Sequence, residues 1–187
     1  MKLAWSAFAL TLAVALGGCA LGHHGRLERL GPGDCKRGDP LAGVYLPFRL
    51  HIERACVTVS GVVDCVRQEP DGDVHIELRV AGRYRRFLRH ANAFQQCPGK
   101  GRGLRGPHLL VEVIPQEGHL PFPDNSAELG GFVTPRAPDS GDHVTVTGPW
   151  VIDTNALHDL IYPGKSVANW AEIHPAWNIT IRHRARR

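Results

Sequence analysis

The chain lacks the short motifs that most often announce chemistry. It has no Cys-x-x-Cys pair and no Gly-x-Ser-x-Gly elbow. The first absence argues against thioredoxin-type redox chemistry and against zinc clusters built on paired thiolates. The second removes the strained strand-to-helix turn that exposes a nucleophilic serine in α/β hydrolases. The Gly-rich run Pro98-Gly99-Lys100-Gly101-Arg102-Gly103 lacks the spacing and the Ser/Thr of a phosphate-cradling loop, and reads as a basic loop. There is no internal repeat and no heptad pattern, and helical periodicity is weak. Tyr84 to Phe94 and Ala156 to Ile161 are the two stretches that suggest short helices. No apolar run reaches the roughly 20 residues needed to cross a bilayer as a helix.

What is present begins at the N-terminus. Lys2 is followed by an uncharged, largely apolar stretch from Leu3 to Leu16, and then by Leu16-Gly17-Gly18-Cys19. This is the layout of an export signal, and it resembles the lipobox of bacterial lipoproteins, in which the cysteine is acylated and becomes the new first residue. The resemblance implies that Cys19 carries lipid and that residues 1–18 take no part in the fold. Ala20 follows the cysteine where an Asp would signal retention, so the resemblance implies an outer-membrane location facing the periplasm. Residues 19–43, rich in Gly and charge, read as the lipidated cysteine and a flexible tether, and residues 44–187 as the folded domain.

Removal of residues 1–18 would leave 169 of the 187 residues, enough for one domain with a real core. The formal charge of +4 is mild but uneven, with Arg182, Arg184, Arg186 and Arg187 crowding the C-terminus. Beside Cys19 the chain has Cys35, Cys56, Cys65 and Cys97, an even number that suits two disulfides in an oxidising compartment.

The domain reads as all-β. Val57 to Val66 alternates around a central Gly61, as expected of a long, sharply bent strand whose core face carries Val57, Val59, Val63 and Cys65. Glu69-Pro70-Asp71-Gly72-Asp73 is a turn, and Val74 to Val80 alternates cleanly, so the two make a hairpin. His108 to Ile114 is a third strand, His143 to Gly148 a fourth that bends on toward Asp153, and Trp177 to Arg182 a fifth. The segment 116–142, with Pro121, Pro123, Pro135 and Pro138, reads as a long loop. Five strands with a Gly-bent first strand fit a small OB-like barrel better than a sandwich, which needs about seven.

Cys56 and Cys65 are nine positions apart, about 30 Å along one extended strand, which is beyond disulfide reach. Two pairings survive: Cys35–Cys56 with Cys65–Cys97, or Cys56–Cys97 with Cys35–Cys65. The position of Cys35 just ahead of the first strand favours the former.

Three segments resemble a group of bacterial secreted proteins of unknown function with an OB-like fold. They are Cys56 to Val63, Glu69 to His75, and Val144 to Asp153 together with Glu172-Ile173-His174-Pro175. The resemblance implies a fold and carries no activity.

Asp71, Asp73 and His75 share one strand parity, as do Glu172 and His174, while Asp153 and His158 flank the end of the fourth strand. Gathered at one barrel rim, these carboxylates and imidazoles would suit a divalent cation such as Zn²⁺ or Mn²⁺. The commoner use of such residues is structural, as turn caps and as carboxylate–imidazole pairs that satisfy half-buried groups. The outward positions of the second and third strands (His75, Glu77 and Arg79, then Leu110, Glu112 and Ile114) offer no aromatic platform, which argues against nucleic acid. Two functional readings follow. One is a lipid-anchored envelope protein whose barrel binds another envelope protein or a small molecule. The alternative is a hydrolase whose metal, held by the Asp/His/Glu cluster, activates water.

Overall fold

A computed structural model describes residues 30–44, 46–94, 106–115, 133–154 and 169–183. The remaining residues, among them Cys19, Cys97 and His158, lie outside the described residues.

The architecture is mostly β. Six strands form one sheet: β1 (Leu50–Gln68), β2 (Val74–Val80), β3 (Leu109–Val113), β4 (His143–Asp153), β5 (Trp170–Ile173) and β6 (Asn178–His183). Hydrogen-bonded neighbours run β1-β2-β3-β5-β4-β6, and β1 also pairs with β4. The path β1-β2-β3-β5-β4 therefore returns to β1 as a ring. All its pairings are antiparallel except the short parallel contact of β3 with β5, Leu110 to Glu172 and Val111 to Ile173.

The expected five strands become six. The strand that closes the ring is Trp170–Ile173, only four residues long, and the expected fifth strand is β6, which pairs with β4 alone. The expected helix at Tyr84 to Phe94 appears as two 3₁₀ helices, Gly82–Phe87 and His90–Phe94.

Gly61 lets β1 serve two partners. Residues 50–62 of β1 pair with β4 and residues 61–68 with β2, so Gly61 and Val62 pair on both sides. A Cβ on Gly61 would meet the Arg79 carbonyl oxygen at 2.5 Å, closer than any side chain tolerates. The ring interior is filled by Val57, Val59, Val63, Ile76, Leu78, Leu109, Val111, Val144, Val146, Trp150 and Ile173, among others.

Cys65 departs from the expected face. Asp64 has no partner in the β1–β2 register, which steps from Val63 opposite Leu78 to Cys65 opposite Glu77. One extra residue in a strand exchanges its two faces beyond that point. Val66 therefore packs against the core, while Cys65 and Arg67 turn to the outer face beside Glu77 and His75. Cys65 is buried there and disulfide-bonded. Cys35 and Cys56 form a disulfide, the pairing that the position of Cys35 favoured.

The chain expected to be a tether is held down from Leu30 onward. Leu30 packs with Ile114 and Trp177, and Leu41 and Val44 pack with Leu50 and Val151. The Asn178 side chain donates to the Leu30 carbonyl at 2.8 Å. These contacts lie on the side of the sheet away from the ring interior, so that face is covered as well.

Asn92 ties the ring where it is thinnest. Its Nδ2 donates to the carbonyls of His108 (2.8 Å) and Ala171 (2.9 Å), and its Oδ1 accepts from the Ala171 N–H (3.0 Å). It thus bridges the approach to β3 and the body of β5. Asn92→Ala leaves three buried backbone groups short of a partner, and we expect a loss of about 3 kcal/mol or more, read from urea unfolding. Gly61→Val should cost about as much through overpacking against backbone, whereas Gly82→Ala, where a Cβ meets nothing within 4 Å, should unfold at nearly the same midpoint as the parent.

Candidate metal centre

Alternate residues of three adjacent strands build the site. Asp73, just ahead of β2, and His75 and Glu77 on it face away from the ring interior. On β3 the same face carries Leu110 and Glu112, and on β5 it carries Glu172, with His174 just beyond. Register lines them up in two rows: Glu77 beside Leu110 beside Glu172, and His75 beside Glu112. Asp73, Glu77, Glu112, Glu172 and His174 are each at most 5% exposed.

Glu112 sits at the centre. Its Oε1 lies 3.0 Å from His75 Nε2, and its Oε2 lies 2.9 Å from His174 Nδ1. Glu172 Oε2 is 3.4 Å from the same Nδ1. His75 Nδ1 is 2.7 Å from Arg67 Nη2 and 3.2 Å from Glu69. Arg67 also pairs with Glu69 and, at 3.3 Å, with Glu77. Above this set, Arg49 ends the 3₁₀ helix Pro47–Arg49 and pairs with the fully buried Asp153. Its backbone carbonyl accepts from both the N–H and the hydroxyl of Thr154.

Electrostatics follow from that crowding. Burial alone would raise the Glu112 carboxyl, yet His174 and His75 hold it well below the usual carboxylate range. Burial, and then the charge on Glu112, push Glu172 up to about 8. Burial opposes a charged His174, but Glu112 and Glu172 push it up to about 10. His75 is likewise raised against its burial by Glu112 and Glu69. Burial pushes Glu77 up to about 7, and Arg67 at 3.3 Å offsets only part of that cost.

Protein groups alone leave this cluster poorly satisfied. Both Glu172 oxygens, Glu112 Oε2 and both His174 nitrogens make no well-aligned hydrogen bond among the described residues, although some stand within ion-pair distance. A buried polar atom left so costs about 1–3 kcal/mol. One donor atom each from Asp73, Glu112 and His174 lie within 4.8 Å of one another. Metal–ligand bonds of about 2.1 Å in a tetrahedral shell place donors about 3.4 Å apart, so the widest-spaced pair must draw in by up to about 1.4 Å. Two carboxylates and an imidazole suit Zn²⁺ or Mn²⁺, and Glu172, 3.4 Å from His174 Nδ1, is the neighbouring carboxylate.

Of the residues singled out from sequence, Asp73, His75, Glu172 and His174 come together here. Asp153 stands at the margin, engaged by Arg49. Asp71 is a turn residue, its Oδ1 accepting from the Asp73 N–H at 3.2 Å. His158 lies outside the described residues. Glu112 and Glu77 were expected to face solvent with Leu110 and Ile114; all four sit on the expected side of their strands but are buried. The signal for Glu112 was available: it is the one charge in the apolar run Leu109-Leu110-Val111-Glu112-Val113.

Glu77 supplies a test independent of any cation. The folded chain keeps a proton on Glu77 that the unfolded chain releases above about pH 4.5. Stability therefore falls as pH rises from about 4.5 through 7, by up to about 3 kcal/mol for this group. In Glu77→Gln the drop in melting temperature between pH 5 and pH 8 should be smaller than in the parent; an equal drop would assign it to other groups. No protein-family model, no curated protein and no solved structure matches the chain, so the resemblance drawn from its segments carries no argument beyond the sequence.

Proposed function

We propose that this chain is a membrane-tethered binding module of the envelope whose barrel is OB-like and holds a divalent cation through Asp73, Glu112 and His174, with Glu172 alongside. One observation carries the reading: two glutamates and a histidine are buried together, and among the described residues Glu172 Oε1 and His174 Nε2 have neither a hydrogen bond nor an ion pair while Glu112 Oε2, Glu172 Oε2 and His174 Nδ1 meet only as ion pairs. A cation would convert that unfavourable set into a coordination shell. The ring order β1-β2-β3-β5-β4 with its parallel β3–β5 contact supports the OB-like assignment. The signal-like stretch Lys2 to Cys19 supports lipid anchoring in an oxidising compartment, as does the Cys35–Cys56 bridge.

Burial favours a held cation over a hydrolytic one. Closed sites with every donor buried are the structural kind, whereas catalytic metals keep a position open to substrate.

The test is metal analysis of protein purified without chelator or affinity tag, followed by melting with and without Zn²⁺ or Mn²⁺. We expect one equivalent of metal, and a melting temperature that falls on chelation and recovers on adding the ion back. At a hundredfold excess over Kd, the stabilisation is about 2.7 kcal/mol. Glu112→Gln and His174→Ala should each abolish the recovery. Melting unchanged by chelator and by both ions in the parent would reject the cation. Intact-mass measurement of the membrane fraction reads the second half of the proposal, with acylation expected at Cys19 and lost in Cys19→Ser.

A further inference from the structure

The bend in β1 opens a second feature, opposite in sign to the first. A cavity of about 330 Å³ is lined by Ser60, Gly61 and Val62 of β1, Arg79 to Ala81, His143 and Val144 of β4, and Arg182 of β6. A second cavity, of about 260 Å³, is lined by Arg79, Val80, Arg85, Leu88, Gly106 and Pro107. The two share Arg79 and Val80, so they adjoin. Neither lining includes a carboxylate. The first alone is within the size range of small-molecule sites.

Arg79 is fixed between them. Asp64 accepts from its Nε at 2.9 Å and from its Nη2 at 3.2 Å, and this pair leaves Nη1 uncommitted. Asp64 is fixed in turn by His108, fully buried, whose Nε2 is 2.8 Å away. Arg85 and Arg182 are exposed and form no ion pair among the described residues. Arg79, pre-set by a carboxylate, shares one cavity wall with Arg182 and the other with Arg85, and guanidinium groups grip multiply charged tetrahedral anions by paired N–H donors. Of these three arginines, Arg182 also acts on Tyr84, after Arg83 and Ser60. Burial would raise the Tyr84 hydroxyl, but Arg83 and Arg182 contribute to holding it below its ordinary value.

We infer that the adjoining cavities around Arg79, Arg85 and Arg182 form a binding site for a phosphate group, carried either by a soluble phosphomonoester or by an anionic lipid headgroup. The apolar share of the wall, Val62, Val80, Val144 and Leu88, accommodates the carbon attached to that phosphate. This site stands apart from the buried acidic cluster and does not depend on the cation proposed there.

Titration calorimetry of the purified full chain with inorganic phosphate and glycerol 3-phosphate, against sodium chloride at equal ionic strength, tests the shared chemistry. Flotation with phosphatidylglycerol vesicles, against phosphatidylcholine vesicles, tests the lipid source. We expect saturable binding in at least one arm, weakened at least tenfold in Arg85→Gln/Arg182→Gln, with the parent melting temperature retained because both side chains are exposed. Arg37→Gln, an exposed arginine elsewhere, should bind as the parent does. Binding confined to the soluble anions names a phosphometabolite, and binding confined to phosphatidylglycerol names the headgroup. No saturable binding in either arm, or binding that the double variant leaves intact, overturns the inference.

Discussion

Everything distinctive in this molecule depends on keeping several carboxylates out of water on one face of β2, β3 and β5. An isolated buried carboxylate costs several kcal/mol even after the surroundings relax. Here Asp73, Glu77, Glu112 and Glu172 share one covered face, and the cations among them do not match them one for one in position. Arg67 and His75 serve the edge near Glu69 and Glu77, His75 also reaches Glu112, Arg49 serves Asp153, and His174 stands between Glu112 and Glu172. A face built this way is held together by what surrounds it. The apolar ring interior on one side, and Leu30, Leu41 and Val44 on the other, hold the strands at a spacing that the carboxylates by themselves would oppose.

That division of labour explains where the backbone is least forgiving. Gly148 lies on β4 where the chain after β5 crosses it, and a Cβ there would meet the Pro175 carbonyl at 2.5 Å and an Ile173 methyl at 2.6 Å. His174 and Glu172 belong to that same crossing segment, and the His174 N–H donates to the Pro149 carbonyl. The Ala176 N–H donates to the Glu112 carbonyl, and the Trp177 N–H to that of Thr147. Close backbone packing therefore sets where the imidazole starts, and its 2.9 Å contact with Glu112 completes the placement. An imidazole held by its backbone is a positioned donor, whether or not a proton or a cation occupies its ring nitrogens.

The parts of this arrangement that were legible in the sequence are those written in alternation over seven or more residues. The stretches Val57 to Val63 and Val74 to Val80 announce their faces, and Asp73, His75, Glu172 and His174 announce a shared parity. The shift at Asp64 was not legible, because a bulge changes the pairing without interrupting the apolar run, and so Cys65 was assigned the wrong face. Trp170–Ile173 escaped notice because four residues carry too little pattern to separate a strand from a loop. Glu112 was seen as a charge and assumed to be wet. Its burial depends on chain that packs over the face from elsewhere, which strand periodicity cannot encode. Distance along a strand excluded Cys56–Cys65 without tertiary information, and the position of Cys35 just ahead of the first strand pointed to Cys35–Cys56.

The same irregularity ties the two ends of the outer face together. From Asp73, just ahead of β2, the outward residues run on through His75, Glu77 and Arg79, from acidic to basic in a span of about 20 Å. With regular pairing throughout, β1 would hold Arg67 toward the core and leave Glu77 without its guanidinium. The bulge reverses the faces at Asp64. Arg67 then reaches Glu77 and His75 at the acidic end, while Asp64 holds Arg79 at the basic end. Because Asp64, itself held by His108, occupies Arg79, that arginine is not drawn back onto Glu77 two residues away. One inserted residue thus keeps opposite charges on a single strand from neutralising each other, and leaves the molecule with a buried cluster suited to a cation and an open one suited to an anion.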